Sequence, residues 1–371
     1  MKKNRTGIAI ICFYQVFPVY HGAAFISNLV LKYIPIKNKK LFQFHTKKNK
    51  SKLNKDIGSI NILINHPILK LIFLPLLILK VLIFLKKFKK KIVIIEGASW
   101  IFFSYIFLKI LKFLNKNIKF IYHAHNIEYE VRDLRNNSII KKITFLLEKK
   151  VLQISDISTC VSYEDYKKNV KLYNIKTLIL KNGIDKFKFN KKFKKKIPKI
   201  YILFSGSYSY KPNQEAIDEI FKKYYLLINK IFKNINFVFT GEGFPKKYIY
   251  TNVKFYKKLS PSKYNTLVNN AFLLFMPLKK GPGTKLKIIE GVCLGKIILT
   301  TKDGIKGLKN YIKKGIFIFK NIKSLQEELQ RIKKNYVKTN KKLSKNKKKL
   351  FNENYFKNLI NDFYIKQIKK L

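Results

Sequence analysis

Short, mostly apolar runs recur along the chain, each followed by a segment whose apolar residues fall at helical spacing. In the first half the runs are Ile8–Phe13, Leu41–Phe44, Ile92–Ile95, Phe120–Tyr122, Asp156–Val161 and Thr177–Leu180. In the second they are Ile200–Phe204, Asn236–Thr240, Val253–Tyr256, Ala271–Pro277, Lys296–Thr300 and Gly315–Phe319. Runs that do not alternate with polar residues suit a parallel sheet covered on both faces. Helices are predicted over Phe25–Leu31, Trp100–Leu114, Ser138–Ile154 (with Glu148 facing outward), Ser162–Val170, from about Asn213, and from Ser260-Pro261. Alternation of this kind predicts an α/β fold of doubly wound, Rossmann-like lobes. Lys186–Lys199 is a lysine block with a proline and no period, which reads as a linker. The expected domains are residues 1–190, residues 191–345, and a basic amphipathic helix over 346–371 that packs back towards the first domain.

Length and composition narrow this picture. A chain of 371 residues is long enough for two ordinary domains, and 47% hydrophobic with 15% aromatic residues excludes global disorder. The formal net charge of +59 suggests an anionic partner. It is also what a coding sequence biased towards Lys, Asn, Ile and Phe would give, and no nucleic-acid-binding module is recognisable. Cys12, Cys160 and Cys293 have no metal-ligand spacing and read as reduced core residues. The apolar run at the amino terminus stops at Phe13 before Tyr14-Gln15, which fits a first strand better than a signal peptide.

Pro67–Leu85 is the most hydrophobic segment. A spanning helix needs about 20 mostly apolar residues, whereas Lys70, Pro75 and Lys80 interrupt this one. Followed by Lys86, Lys87, Lys89, Lys90 and Lys91, it reads either as an interfacial anchor meeting anionic lipid or as a buried helix on a sheet. Lys47–Lys55 is a polar, lysine-rich loop or helix start.

Two stretches carry candidate chemistry. Gly281-Pro282-Gly283-Thr284-Lys285 follows an apolar strand and leads into a helix containing Glu290. Glycines allow close backbone approach, Thr284 is a candidate N-cap, the helix N-terminus carries about half a positive charge, and Lys285 adds a full one. That combination suits a phosphate, and Glu290 could accept hydrogen bonds from sugar hydroxyls. The other stretch is Tyr122-His123-Ala124-His125-Asn126-Ile127-Glu128, a strand delivering polar groups at its carboxyl end, where open α/β sheets bind ligands. Glu128 is the nearest carboxylate for a nucleophile or base, though the reading that comes first is a helix-capping or structural carboxylate.

His125-Asn126-Ile127-Glu128, Asn182-Gly183-Ile184-Asp185, Gly206 with Pro212-Asn213, Gly241-Glu242-Gly243, and Gly281–Glu290 followed by Gly304 and Gly307 stand in this order along the chain. Together they resemble a family 4 glycosyltransferase of the GT-B fold, with two Rossmann-like domains facing a central cleft. The resemblance implies a retaining, metal-independent hexosyltransferase without a cofactor. It would move a sugar from a nucleotide-sugar donor to a glycan or a polyprenyl- or lipid-linked acceptor. The setting implied is cell-surface polysaccharide or lipopolysaccharide synthesis, with the protein peripheral at the cytoplasmic face of the membrane. By the same resemblance His125 contacts the transferring sugar, Gly22 and Gly206 lie in loops near the donor, Gly283, Thr284 and Lys285 hold its phosphates, and Glu290 holds the ribose. Two positions depart from the family pattern. Pro282 stands where a glutamate is usual, eight positions before Glu290, and the basic pair after the first strand of the second lobe is missing, with Lys211 a candidate substitute. Competing expectations are a basic membrane- or nucleic-acid-binding protein that keeps the fold without activity, and an integral membrane protein resting on Pro67–Leu85.

Overall fold

A computed structural model describes residues 6–371 apart from 20, 47–55, 98–99, 134–137, 190–197, 234, 249, 258, 280, 282 and 313–314. The expected loop at Lys47–Lys55, most of the lysine block and Pro282 therefore lie outside the described residues. The chain forms two compact units: Met1–Asn182 together with Phe356–Leu371, and Gly183–Tyr355. The division falls at Asn182/Gly183, ahead of the lysine block, because Ile184 already pairs with Tyr355 in the second unit.

The first unit is built on seven parallel strands: β1 (Thr6–Cys12), β2 (Lys39–Thr46), β3 (Ile57–Ile62), β4 (Lys90–Gly97), β5 (Ile118–Ala124), β6 (Ile157–Cys160) and β7 (Leu178–Ile179). They lie in the order β3-β2-β1-β4-β5-β6-β7, so the winding reverses between β1 and β4. Helices α1 (Gly22–Tyr33), α2 (Pro67–Ile72), α3 (Leu74–Leu85), α4 (Ile101–Leu114), α5 (Glu128–Asp133), α6 (Ser138–Ile154) and α7 (Tyr163–Tyr173) connect them. One core packs Ala9, Ile11, Val93, Ile95, Phe120 and Tyr122 against Leu77, Val81, Phe107 and Leu111. The neighbouring positions Ile8, Ile10, Ile92, Ile94 and Ile121 are buried too, which is why these strands lack polar alternation.

The hydrophobic segment Pro67–Leu85 is two short helices meeting at Phe73. Among the described residues no helix is long and apolar enough to cross a membrane. Lys70 does not face outward. It is wholly buried, donates from Nζ to the carbonyl of Phe13 (2.6 Å), and lies 3.4 Å from the centroid of the Trp100 ring. Burial lowers its pKa to about 7.

The second unit carries β8 (Tyr201–Ser205), α8 (Lys211–Glu219), α9 (Tyr225–Phe232), β9 (Asn236–Thr240), β10 (Val253–Tyr256), α10 (Pro261–Asn270), β11 (Leu273–Met276), α11 (Leu286–Cys293), β12 (Ile298–Thr301), β13 (Ile316–Phe319) and α12 (Ile322–Asn354). Its strands are also all parallel, in the order β10-β9-β8-β11-β12-β13, with the reversal between β8 and β11. Ile202 and Phe204 point into one core with Ile217, Ile220 and Leu325. Tyr201 and Leu203 point into the other with Leu267, Ile288 and Val292. The helical carboxyl end continues through Asn354, with a kink at Asn335, past the expected boundary at 346, and α13 (Phe356–Lys366) belongs to the first unit. There α13 packs on α1, buries Phe356, Ile360 and Phe363, and is followed by carbonyls of Ile368 and Lys369 that accept from Lys90 Nζ.

Lys70 makes a checkable contribution. Its folded pKa lies below the unfolded value, so between pH 7 and about 10 the unfolded state binds more protons and stability rises with pH. Lys70→Met should remove that part of the rise. Denaturant melts of both proteins at pH 7 and pH 9.5 would check it: the stability difference (wild type minus variant) should increase by about 1 kcal/mol or more.

Candidate functional site

Each reversal of strand order opens a crevice at the carboxyl edge of its sheet, and the candidate residues gather at these two places. In the first unit β4 ends in Glu96, which pairs in register with His123 of β5. The Glu96 carboxylate is completely buried and takes hydrogen bonds from three directions. His125 Nε2 lies 2.7 Å away, His123 Nδ1 3.2 Å away, and Ser27 Oγ on α1 donates at 2.8 Å. Ser27 Oγ is in turn 2.7 Å from the Tyr14 hydroxyl beyond β1. Burial pushes the Glu96 carboxyl up. The charge of and hydrogen bond from His123, with those of His125, outweigh burial and hold it well below the usual carboxylate range. Burial in turn lowers the pKa of His125, against the opposing pull of Glu96. Because Nε2 faces the carboxylate, His125 Nδ1 is left buried and, among the described residues, without a hydrogen-bond partner.

Gly22 opens α1, the helix that carries Ser27, and is exposed at its amino end beside the capping residue His21. Glu128 begins α5 three residues after His125, with its side chain fully buried. The outward placement expected for Glu148 is corrected. It is buried on α6, and its carboxylate accepts from the backbone N–H groups of Glu128 (2.8 Å) and Tyr129 (2.9 Å) and from the Tyr173 hydroxyl (2.6 Å). Glu148 therefore caps α5, and burial raises its pKa to about 7.

In the second unit the crevice lies between Ser205 at the end of β8 and the loop between β11 and α11. Gly206 has φ 155°, and a Cβ there would come within 2.6 Å of the Asn213 side chain. Gly283 has φ 66°, the left-handed region that favours glycine. Thr284 is not the N-cap: that position is Lys285, whose Nζ instead folds back to the carbonyls of Gly281 (2.7 Å) and Gly283 (3.0 Å). Glu290 lies about one turn into α11, and its carboxylate accepts from the Tyr264 hydroxyl at 3.0 Å. Burial raises the pKa of Glu290 to about 7.

Lys211 is exposed at the start of α8. The cation at the end of β8 is Lys287, which the sequence reading passed over. Its Nζ donates to the carbonyl of Ser205 and to Asn213 Oδ1 (3.1 Å) and lies over the Phe204 ring. Burial, reinforced by the charge of Lys285, lowers its pKa to about 7. The region where the usual basic pair is missing is thus supplied with a cation from α11, two residues after Lys285. Only the sequence signal Lys285-Leu286-Lys287 pointed to it, and lysine is too common in this chain to single it out.

Residues 199–335 match the family described as glycosyl transferases group 1. No curated protein is significantly similar in sequence to the chain. Among solved structures it resembles trehalose-6-phosphate synthase OtsA, with a TM-score of 0.73, 12% identity, and coverage of 98% of this chain and 99% of that one. It also resembles sucrose-phosphate synthase from Thermosynechococcus elongatus, with a TM-score of 0.72, 12% identity, and 99% and 100% coverage. Anabaena HepE, solved in complex with UDP, follows with a TM-score of 0.69, 13% identity, and 98% and 100% coverage. These are GT-B glycosyltransferases, and the chain has their fold. Lys285, Lys287 and Glu290 all lie inside the matched residues, while Glu96 and His125 precede them.

Glu96, His123 and His125 are, among the described residues, a group whose donor atoms lie within 4.8 Å of one another, close enough to surround a metal ion. The carboxylate is satisfied by direct hydrogen bonds from both imidazoles and Ser27, while the far ring nitrogens, His123 Nε2 and His125 Nδ1, are buried without a partner among the described residues. Glu96→Gln removes the charge that favours the imidazolium of His125, so the His125 pKa should fall further. A histidine NMR titration would check it. An upward shift would contradict the assigned contact.

Proposed function

We propose that the protein is a retaining glycosyltransferase that takes a sugar from a nucleotide-sugar donor. The observation that carries this reading is the pairing of two lysines, Lys285 and Lys287, with Glu290 at the switch point of a glycosyl transferases group 1 domain. Lys285 and Lys287, with the N-terminus of α11, meet the charge that develops on the departing diphosphate, without a metal ion. Glu290 accepts hydrogen bonds from the ribose hydroxyls. Gly206, Gly283 and Thr284 form the donor loops, and Gly22 borders the diphosphate. His125 Nδ1, buried and unpartnered among the described residues, meets a hydroxyl of the transferring sugar. The acceptor hydroxyl attacks the anomeric carbon from the face on which the leaving group departs. The bond from that carbon to the phosphate oxygen breaks, and the acceptor proton passes to the leaving diphosphate. Glu128 is not required as a nucleophile in this route, and its burial at the start of α5 suits a structural role.

HepE, a structural relative, is solved with UDP-glucose, which makes UDP-sugars the first donors to test. The acceptor we propose is a glycan or lipid-linked sugar of cell-surface polysaccharide or lipopolysaccharide synthesis, reached at the cytoplasmic face of the membrane.

Nucleoside diphosphates should raise the melting temperature, and Lys285→Ala or Lys287→Ala should weaken binding about tenfold or more. Absence of a shift with every diphosphate tested would overturn the reading. Because Lys287 has a pKa near 7 and a bound phosphate favours its charged form, binding should take up protons near pH 7.5 and weaken as pH rises towards 9. Calorimetry in buffers of different ionisation enthalpy measures that uptake, and Lys287→Ala should reduce it.

A further inference from the structure

The helices α2 and α3 expose apolar side chains on the face turned away from the core, and α3 buries apolar side chains as well. On α2 Lys70 is buried, while Ile68 and Ile72 of α2 and Leu79 of α3 are each more than half exposed. A second stripe stands on α6, where Ile139, Ile143 and Leu146 are also half or more exposed. Between the start of α2 and α6 lies an open cavity of about 540 Å³ lined by Pro67 of α2, Trp100 and Phe102 at the start of α4, Ile143 of α6 and Arg132 of α5. Scattered apolar residues are ordinary on a surface, but apolar stripes grouped beside an open cavity mark something that covers them.

The charge around this face identifies the occupant. Between Ile57 and Ile127 the only acidic residue is Glu96, which is wholly buried. Lys80, Lys86, Lys87 and Lys142 are exposed on the same helices or beside them, and Arg132 stands at the cavity. Glu130, on α5 beside Arg132, is paired with Lys168, so a second copy docking through the same patch would oppose mostly like charges. Anionic phospholipid matches both features, with acyl chains for the aliphatic side chains and phosphates for the lysines. We propose that the face formed by α2, α3 and the first turns of α6 docks on an anionic bilayer, its aliphatic side chains entering the acyl region and its lysines resting at the headgroups. The proposal gives physical form to the membrane setting proposed above but uses none of the transfer chemistry, so the two can fail separately.

The test is sedimentation of the full chain with phosphatidylcholine vesicles with and without phosphatidylglycerol. The chain's overall charge would hold any variant on anionic vesicles at low salt, so the decisive comparison is at about 1 M salt, where the screening length is about 3 Å. There the wild type should stay bound to phosphatidylglycerol vesicles. A variant combining Ile72→Asp, Leu79→Asp and Ile143→Asp should bind at least about tenfold more weakly. All three side chains are exposed, and an unchanged circular dichroism melt would show that the variant folds; should it not, the milder Ile72→Ser with Ile143→Ser replaces it. Equal binding of variant and wild type, or no wild-type binding at high salt, overturns the proposal. So does a wild-type dimer in light scattering that the same substitutions dissociate, since the face would then belong to a second copy.

Discussion

Strands buried on both faces cannot display chemistry along their length. In both units the central strands pack apolar side chains against helices on both faces, so most of the polar chemistry lies at strand ends and in the loops that follow. Reversal of strand order then separates two of those loops and leaves backbone groups accessible between them. Glu96 with His125 in one unit, and Lys285, Lys287 and Glu290 in the other, occupy the same topological position. That common constraint accounts for why a chain so rich in lysine and isoleucine places its polar networks where it does.

Acidic residues are scarce, 20 against 79 lysines and arginines, and several of them are internal. Glu96, Glu128 and Glu148 are buried in the first unit, each near the carboxyl edge of its sheet or the helix that follows. Their environments differ in kind. Glu96 is held ionised by two imidazoles and a hydroxyl, whereas Glu148, facing backbone N–H groups and a tyrosine in an apolar setting, has its proton affinity raised. Interior carboxylates thus organise backbone and imidazoles, and the surface is left almost uniformly basic.

Much of the architecture was legible because buried parallel strands announce themselves as unbroken apolar runs. β3 was not, since Ile57-Gly58-Ser59-Ile60-Asn61-Ile62 carries a glycine and two polar residues and owes its strand to pairing with β2. Glu148 was read as outward because its neighbours Lys149 and Lys150 suggested a solvated face. Only the packing of α6 on α5 reveals which way it turns. The loop around Lys285 was legible from its glycines. Lys287 and Glu96 were not, because their partners are distant in sequence: Ser205 is 82 residues from Lys287, and Ser27 is 69 from Glu96. Local pattern carries no trace of contacts made at that separation.

The return of α13 to the first unit makes that unit discontinuous in sequence. Its fold is not complete when the chain reaches Asn182, because the surface of α1 that α13 covers, and the lysine of β4 that bonds its end, wait for the last sixteen residues. During synthesis the second unit, continuous from Gly183 to Tyr355, has all its strands before the first has its last helix. A chain stopped just after Tyr355 carries one finished unit and one with an apolar flank uncovered, so loss of α13 is felt at the opposite end of the sequence.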